Sequence, residues 1–266
     1  MNAWRWWQAL RANPVYLREK GTWGNPNPFY AQLMRYSPFM VIGAVLLGVC
    51  AGSTNTTLFS GNEDLFAAAC FLCLPGFLLT AVSLYAQFLA PALTAPTISQ
   101  ERAQGTWDIL RLTPLSMRLI LAGKLFGPLS RLRIWPILFA LSLLQGGILA
   151  LSVSVFGGER ALWGWLLGLT TTLRPWAEVM FAALIGLYTS TVVESAMMAL
   201  VGAYTAVILL KIFNNSGLWL ALLLLNNANE TLSLVLPTVG PLLIYGLVIT
   251  AVWFGLFHQA KKLSYG

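Results

Sequence analysis

Six charged side chains, Glu101, Arg102, Asp108, Arg111, Arg118 and Lys124, crowd the stretch from Pro96 to Lys124 in a chain that is only 9% charged. Carboxylates interleaved with guanidinium and ammonium groups form charge-assisted pairs and docking contacts. No hydrolytic or redox chemistry accompanies them. The single histidine, His258, closes the last apolar run beside Lys261 and Lys262 and reads as an interfacial residue, so no Ser-His-Asp triad can be built. Gly123-Lys124 lacks the upstream glycine and the trailing Ser or Thr of a phosphate-binding loop, so no ATP site is expected on this chain. Cys70 and Cys73 have a redox or metal spacing, but no further ligand completes a site; with Cys50 they fall in apolar runs and read as buried thiols. No catalytic, cofactor-binding or metal-binding residue is expected. Arg174 and Glu178 sit one helical turn apart in an apolar run, where burying charge is costly and implies a partner or a function. An ion pair between them is the first reading, and contact with a substrate the second.

The elements that must hold these groups are apolar helices. The chain has 266 residues, 58% of them hydrophobic, and a mean hydropathy of +0.72, whereas soluble domains are about a quarter charged. Its uncharged runs approach the roughly 20 residues that cross a bilayer as a helix, without the alternation of a membrane barrel. The expectation is an all-α polytopic membrane protein with six spans: Tyr36 to Gly52, Leu65 to Leu93 with a kink at Pro75-Gly76, Ile134 to Phe156, Pro175 to Val193, Ala196 to Phe213, and Leu232 to Phe257. Four spans is the fallback if the fourth and fifth form a re-entrant hairpin. Leu218 to Leu225, bracketed by Asn214, Asn215, Asn226, Asn227 and Asn229, is too short to cross and reads as a re-entrant or interfacial segment before span six. Residues 161–171 either lie at the interface or start the next helix.

Residues 1–35 are expected as an N-terminal cytoplasmic interfacial segment and 36–266 as a single transmembrane domain, with the charged loop at 96–124. No signal peptide is expected, because MNAWRWWQALRANP has no apolar core region. Trp4, Trp6, Trp7 and Leu10, with Arg5 and Arg11, predict a short interfacial helix ended by Asn13-Pro14; the alternative is a partly ordered tail.

The net charge of +7 reflects topology rather than nucleic-acid binding. Arg5, Arg11, Arg18, Lys20 and Arg35 precede the first span. Arg102, Arg111, Arg118, Lys124, Arg131 and Arg133 lie between spans two and three, and Lys261 and Lys262 end the chain. Only Arg160, Arg174 and Lys211 fall to the other side. The positive-inside rule then puts both termini in the cytoplasm, at the inner membrane. Sequons at Asn55, Asn214 and Asn229 fall on the outer side. Arg131 and Arg133 are expected to snorkel to lipid phosphate, and Gly164-x-x-x-Gly168 to let two helices approach closely.

Within the loop, Ala95-Pro96 breaks the preceding helix and Gly105 suits a turn. Thr106 suits an N-cap, Thr113-Pro114 stops the short helix, and Ser116 can cap the next one. Trp107, Ile109 and Leu112 are expected on one apolar edge, away from Asp108 and Arg111. Such a helix either packs under the bilayer or enters a groove on a soluble partner; an ordinary connecting loop is the equal alternative.

NPVYLREK near the N-terminus, followed by PALTAPTISQERAQGTWDILRLTPLSMRLILAGK, resembles the membrane subunit of ABC transporters of the type-2 exporter permease family. That family carries an Asn-Pro, hydrophobic, basic, Glu motif near its N-terminus. Between spans two and three it carries a Glu-Arg, Gly-Thr, acid, Pro, Ser pattern and then Gly-Lys. Here Glu101, Arg102, Gly105, Thr106, Trp107, Asp108, Leu110, Pro114, Leu115, Ser116, Gly123 and Lys124 stand at those positions. The match is fairly specific from Pro91 to Lys124; elsewhere it rests on the span count and the shape of the loop before span six. After span four, where family members commonly carry a basic residue, this chain has Glu194.

The resemblance implies a permease subunit of an ATP-driven exporter, with six spans and a cytoplasmic coupling-helix loop. Glu101, Arg102, Gly105, Thr106, Trp107, Asp108, Arg111 and Pro114 would form the coupling contact. Its partners would be a cytoplasmic ATP-binding subunit, which would hold ATP and Mg, and a second permease subunit in a homodimer or heterodimer. The chain itself would not be an enzyme. The alternative is a non-transporting structural subunit of a larger membrane complex. Spans with few polar groups favour a lipid-like or amphipathic substrate.

Overall fold

In hydrocarbon every backbone N–H and C=O must find its partner within the chain, and helices do this locally. The computed structural model describes residues 3–21, 35–46, 63–132, 134–156, 161–224 and 230–265, and among these every regular element is a helix. In chain order they are α1 (Ala3–Arg11), α2 (Pro14–Glu19), α3 (Arg35–Leu46), α4 (Glu63–Thr94), α5 (Pro96–Ala103), α6 (Thr106–Arg111), α7 (Met117–Arg131), α8 (Trp135–Phe156), α9 (Ala161–Val192), α10 (Ala196–Leu224) and α11 (Glu230–Tyr265).

Among the described residues four stretches are long and apolar enough to cross a membrane: Leu74–Ala103, Trp135–Val155, Ala196–Ser216 and Val239–Leu263. Large apolar side chains such as Leu151 on α8, Leu209 on α10 and Leu247 on α11 are exposed along them, a surface suited to lipid rather than water. The chain is therefore a helical, multi-pass membrane protein by length and composition.

Helix α9 differs from these four. It is more polar, yet it is the helix that α4, α8, α10 and α11 all pack against. Val179, Ala182, Ala183 and Leu187 on it are fully buried. Over this buried stretch the helix needs no continuous apolar exterior, while Leu162, Trp165 and Leu169 in its first half are exposed. Small residues bring the neighbours close: a Cβ added at Gly168 would lie 2.5 Å from the Gly146 carbonyl oxygen, and one at Gly164 would lie 2.9 Å from the Val153 Cβ. The Gly164-x-x-x-Gly168 pair is thus the α8–α9 contact. Trp135 on α8 stacks on Trp176 of α9 at 5.3 Å between centroids.

Of the two readings of residues 161–171, the structure has the start of the next helix, α9. Other expectations change. Leu218 to Leu224 continue α10 instead of forming a separate re-entrant half-helix, since a single interior glycine, Gly217, costs only about 1 kcal/mol and does not end a helix. Asn214 is buried on α10, so the sequon there is not on a loop. The first expected span is described only as far as Leu46 of α3; residues 47–52, with Cys50, lie outside the described residues, as do Asn55, Arg133, Arg160, Asn226, Asn227 and Asn229.

Candidate functional site

The sequence places the N-terminal motif and the charged loop some 80 residues apart, and the fold brings them together at one end of the bundle. Asn13 starts α2: its side-chain oxygen accepts from the Val15 N–H at 2.9 Å, while its amide donates to the Leu119 carbonyl of α7 at 2.9 Å. Pro14 fills the first turn, where its missing N–H costs nothing. Helix α2 then lies against α7 over two glycines. A Cβ at Gly123 would stand 3.2 Å from the Tyr16 nitrogen, and one at Gly127 would stand 2.5 Å from the Glu19 Cβ.

That approach assembles an ion cluster. Arg18 pairs with Glu101 of α5. The Lys124 ammonium lies 2.8 Å from Glu101 Oε2 and 3.4 Å from Glu19 Oε1, and donates to the Thr97 carbonyl at 3.0 Å. Lys124 is 0% exposed and Glu101 is buried. Burial pulls the Lys124 ammonium down to about 8, with Glu19 pulling it back up, so it keeps its charge at neutral pH. Arg131, expected to reach for lipid phosphate, instead donates to the Arg18 carbonyl at 3.4 Å at the end of α2. A helix C-terminus offers unpaired carbonyls close at hand.

The same end holds the start of α5. Ser190 of α9 accepts from the Ile98 and Ser99 N–H groups at 3.0 and 2.8 Å. Arg102 donates to the Thr191 carbonyl at 3.3 Å and pairs with Glu194 at 3.1 Å. At the foot of α11, Phe257 lies under both Arg118 and Lys261.

Gly105 turns the chain with φ +69°, the left-handed region that glycine enters without strain. It occupies the N-cap position of α6, and Thr106, expected there, begins the helix and donates to the Glu101 carbonyl at 3.3 Å. Ser116 stands at the N-cap of α7 in an extended conformation, without a side-chain cap bond. The expected apolar edge of α6 splits. Trp107 is buried, whereas Ile109 and Leu112 are 67% and 87% exposed, because residues two apart on a helix face opposite ways. Gly105, Asp108 and Pro114 are exposed beside them. The Arg111 side chain lies outside what is described.

The opposite end holds the second cluster. Arg174 Nε donates to Glu178 Oε1 at 2.8 Å, as the spacing predicts. No spacing in the chain predicts that Lys211 of α10 comes within 3.6 Å of Glu178 Oε2, or that Gln87 of α4 donates to that oxygen at 2.5 Å. Lys211 also donates to Gln87 Oε1 at 2.8 Å, and Arg174 Nη2 to Asn215 at 3.0 Å. Arg174, Glu178, Lys211 and Asn215 border a cavity of about 310 Å³.

In comparisons with known proteins, no family model matches this chain, and no curated protein or solved structure matches it.

Proposed function

We propose that this chain is the membrane-spanning permease subunit of an ATP-driven ABC exporter, working with a separate cytoplasmic ATP-binding subunit and a second permease subunit. The observation that carries this reading is the meeting of Arg18 and Glu19 of NPVYLREK, Glu101 and Lys124, from the three stretches behind the family resemblance, in one ion cluster around a buried Lys124. An ordinary connecting loop has no need of such a buried anchor. The cluster holds α5 and α2 rigidly on the membrane helices and leaves Ile109 and Leu112 of α6 exposed at the tip.

In this reading the tip is the contact for the ATP-binding subunit. Movement of that subunit on binding ATP enters through α6, passes along α5 to its seat on Ser190 and Thr191 of α9, and reaches the central helix of the bundle. This is a rigid-body switch biased by a ligand bound on another chain. Both termini then face the cytoplasm at the inner membrane, with α3 and α9 completing six spans. The amphipathic α1 rests at the interface, with Trp4 exposed.

The test is mild-detergent purification of the tagged chain from its native membrane, with identification of what accompanies it and an ATPase assay. A stoichiometric ATP-binding subunit, retained by the wild type and lost from Ile109→Glu and Leu112→Glu, supports the reading. An unrelated membrane complex without ATPase activity would make the chain a structural subunit. Glu194, standing where the family commonly has a base, is the observation that favours that second reading.

A further inference from the structure

We infer that the cavity between α4, α9 and α10 is a binding site for a singly charged anionic headgroup, a phosphate diester or carboxylate, at the membrane boundary opposite the ion cluster. Arg174, Glu178, Lys211 and Asn215 border it, with the hydroxyls of Thr80 and Ser83.

Charge is the first argument. Among the described side chains two cations face one carboxylate, a surplus positive charge within a membrane domain, where an uncompensated charge is expensive. Hydrogen-bond capacity points the same way. Both Glu178 oxygens are engaged, Oε1 by Arg174 and Oε2 by Gln87 and Lys211. The donors are not exhausted. A guanidinium has five N–H groups and an ammonium three, whereas Arg174 makes two hydrogen bonds and Lys211 one. What the site lacks is acceptor oxygens carrying negative charge. Arg174 is 37% exposed and Lys211 28% exposed, so both are reachable from the cavity.

Position decides the kind of molecule. Arg174 precedes Ser190 by sixteen residues on one helix, about 24 Å at 1.5 Å per residue. With Ser190 in the end that holds the ion cluster, the cavity lies near the far boundary of a hydrocarbon layer about 30 Å thick. Phe77, Ile212 and Phe213 are exposed on the helices that form it. An anionic head in the cavity with an apolar tail along these residues is an amphiphile in its natural orientation. Binding stands apart from the export reading; that the bound amphiphile is cargo rests on it.

The experiment uses the purified full chain in phosphatidylcholine nanodiscs doped with phosphatidylglycerol, and reads retained lipid by native mass spectrometry, so it needs no ATP-binding subunit. Wild type should retain phosphatidylglycerol over phosphatidylcholine. Lys211→Gln, which leaves Glu178 paired with Arg174, should lower that retention by about tenfold, and Arg174→Gln should do the same. Arg5→Gln, outside the cavity, should not change it. Millimolar inorganic phosphate that displaces the lipid would identify the site as a general phosphate site; failure to displace it would identify the lipid headgroup as the ligand. Retention without preference for phosphatidylglycerol, or preference unchanged in both variants, would overturn the inference.

Discussion

At one end of the bundle Arg18 and Lys124 face Glu19 and Glu101, and the charges balance around a buried Lys124–Glu101 pair with Arg18 half-exposed at its edge. At the other end, among the described side chains, Arg174 and Lys211 share Glu178 alone beside an open cavity. Both clusters tie three helices together, the first through charged side chains alone and the second with the amide of Gln87 as its α4 member, so charge as such does not separate their roles. Charge balance and the burial of the central pair do. A neutral cluster built on the buried Lys124 and Glu101 fixes geometry. A cluster with a surplus cation and spare donors is incomplete until something binds. The same residue types thus read as a clamp at one end and as a receptor at the other.

The largest expected effect tests the clamp. Glu101→Gln leaves the Lys124 ammonium buried with its nearer carboxylate gone, and breaking a buried pair in this way costs about 3–5 kcal/mol. Denaturant midpoints in detergent, with hydrogen exchange in α2 and α5, would measure it. Substituting both partners, Glu101→Gln with Lys124→Met, should recover much of the loss, since no unpaired charge then remains; a double variant as weak as the sum of the two would break the clamp picture. The pH dependence has a definite sign. Lys124 has a folded value of about 8 against an ordinary value of 10.5, so between these the folded state holds fewer protons and stability rises with pH, levelling off above the upper value. Without Glu101 the folded value falls further, so the variant begins this rise at lower pH. The gap between wild type and Glu101→Gln should therefore narrow as pH approaches 8 and stay constant above it.

Next in size is Gly127→Ala. Its Cβ would meet the Glu19 Cβ at 2.5 Å, a contact that α2 can relieve only by moving, and overpacking of this kind costs about 1–3 kcal/mol. Faster exchange of the α2 amides, with α8 and α9 unchanged, is the expected signature. Lys211→Gln at the other end should change stability by less than about 1 kcal/mol, because Glu178 keeps Arg174 and Gln87 and the lost pair is long and partly exposed. A loss there as large as that of Glu101→Gln would make both ends clamps.

The sequence made the helical membrane class legible, because long uncharged runs admit few other structures. It also made legible the charged segment, the turn at Gly105, and the pairing of Arg174 with Glu178, because these depend on neighbours within a helical turn or on composition. Burial and long-range encounters were hidden. Glu101 and Arg102 are adjacent in sequence, yet one is buried against Lys124 and the other reaches the surface at Glu194. Lys211 looked like a lone charge in an apolar run until α10 was laid against α4 and α9. The stop of a helix was hidden too: Asn214-Asn215 and Gly217 resemble a break, but α10 runs through them to Leu224.

Glu194→Gln has the smallest expected effect and sets the sharpest contrast with Glu101. Both are glutamates paired with an arginine at the same end of the bundle. Glu194, however, is 86% exposed, and water already solvates its carboxylate in a high dielectric. Arg102 also keeps the Thr191 carbonyl when the carboxylate is gone. An exposed pair of this kind is worth at most about 0.5 kcal/mol, so the unfolding midpoint should barely move. On the permease reading proposed above, any effect of Glu194→Gln or Glu194→Lys should then appear in which soluble subunit the chain retains, since an exposed acid beside Arg102 would alter the face shown to a partner without altering the fold behind it. A clear loss of stability would mean that Glu194 belongs to the clamp and that the cluster extends to the end of α9.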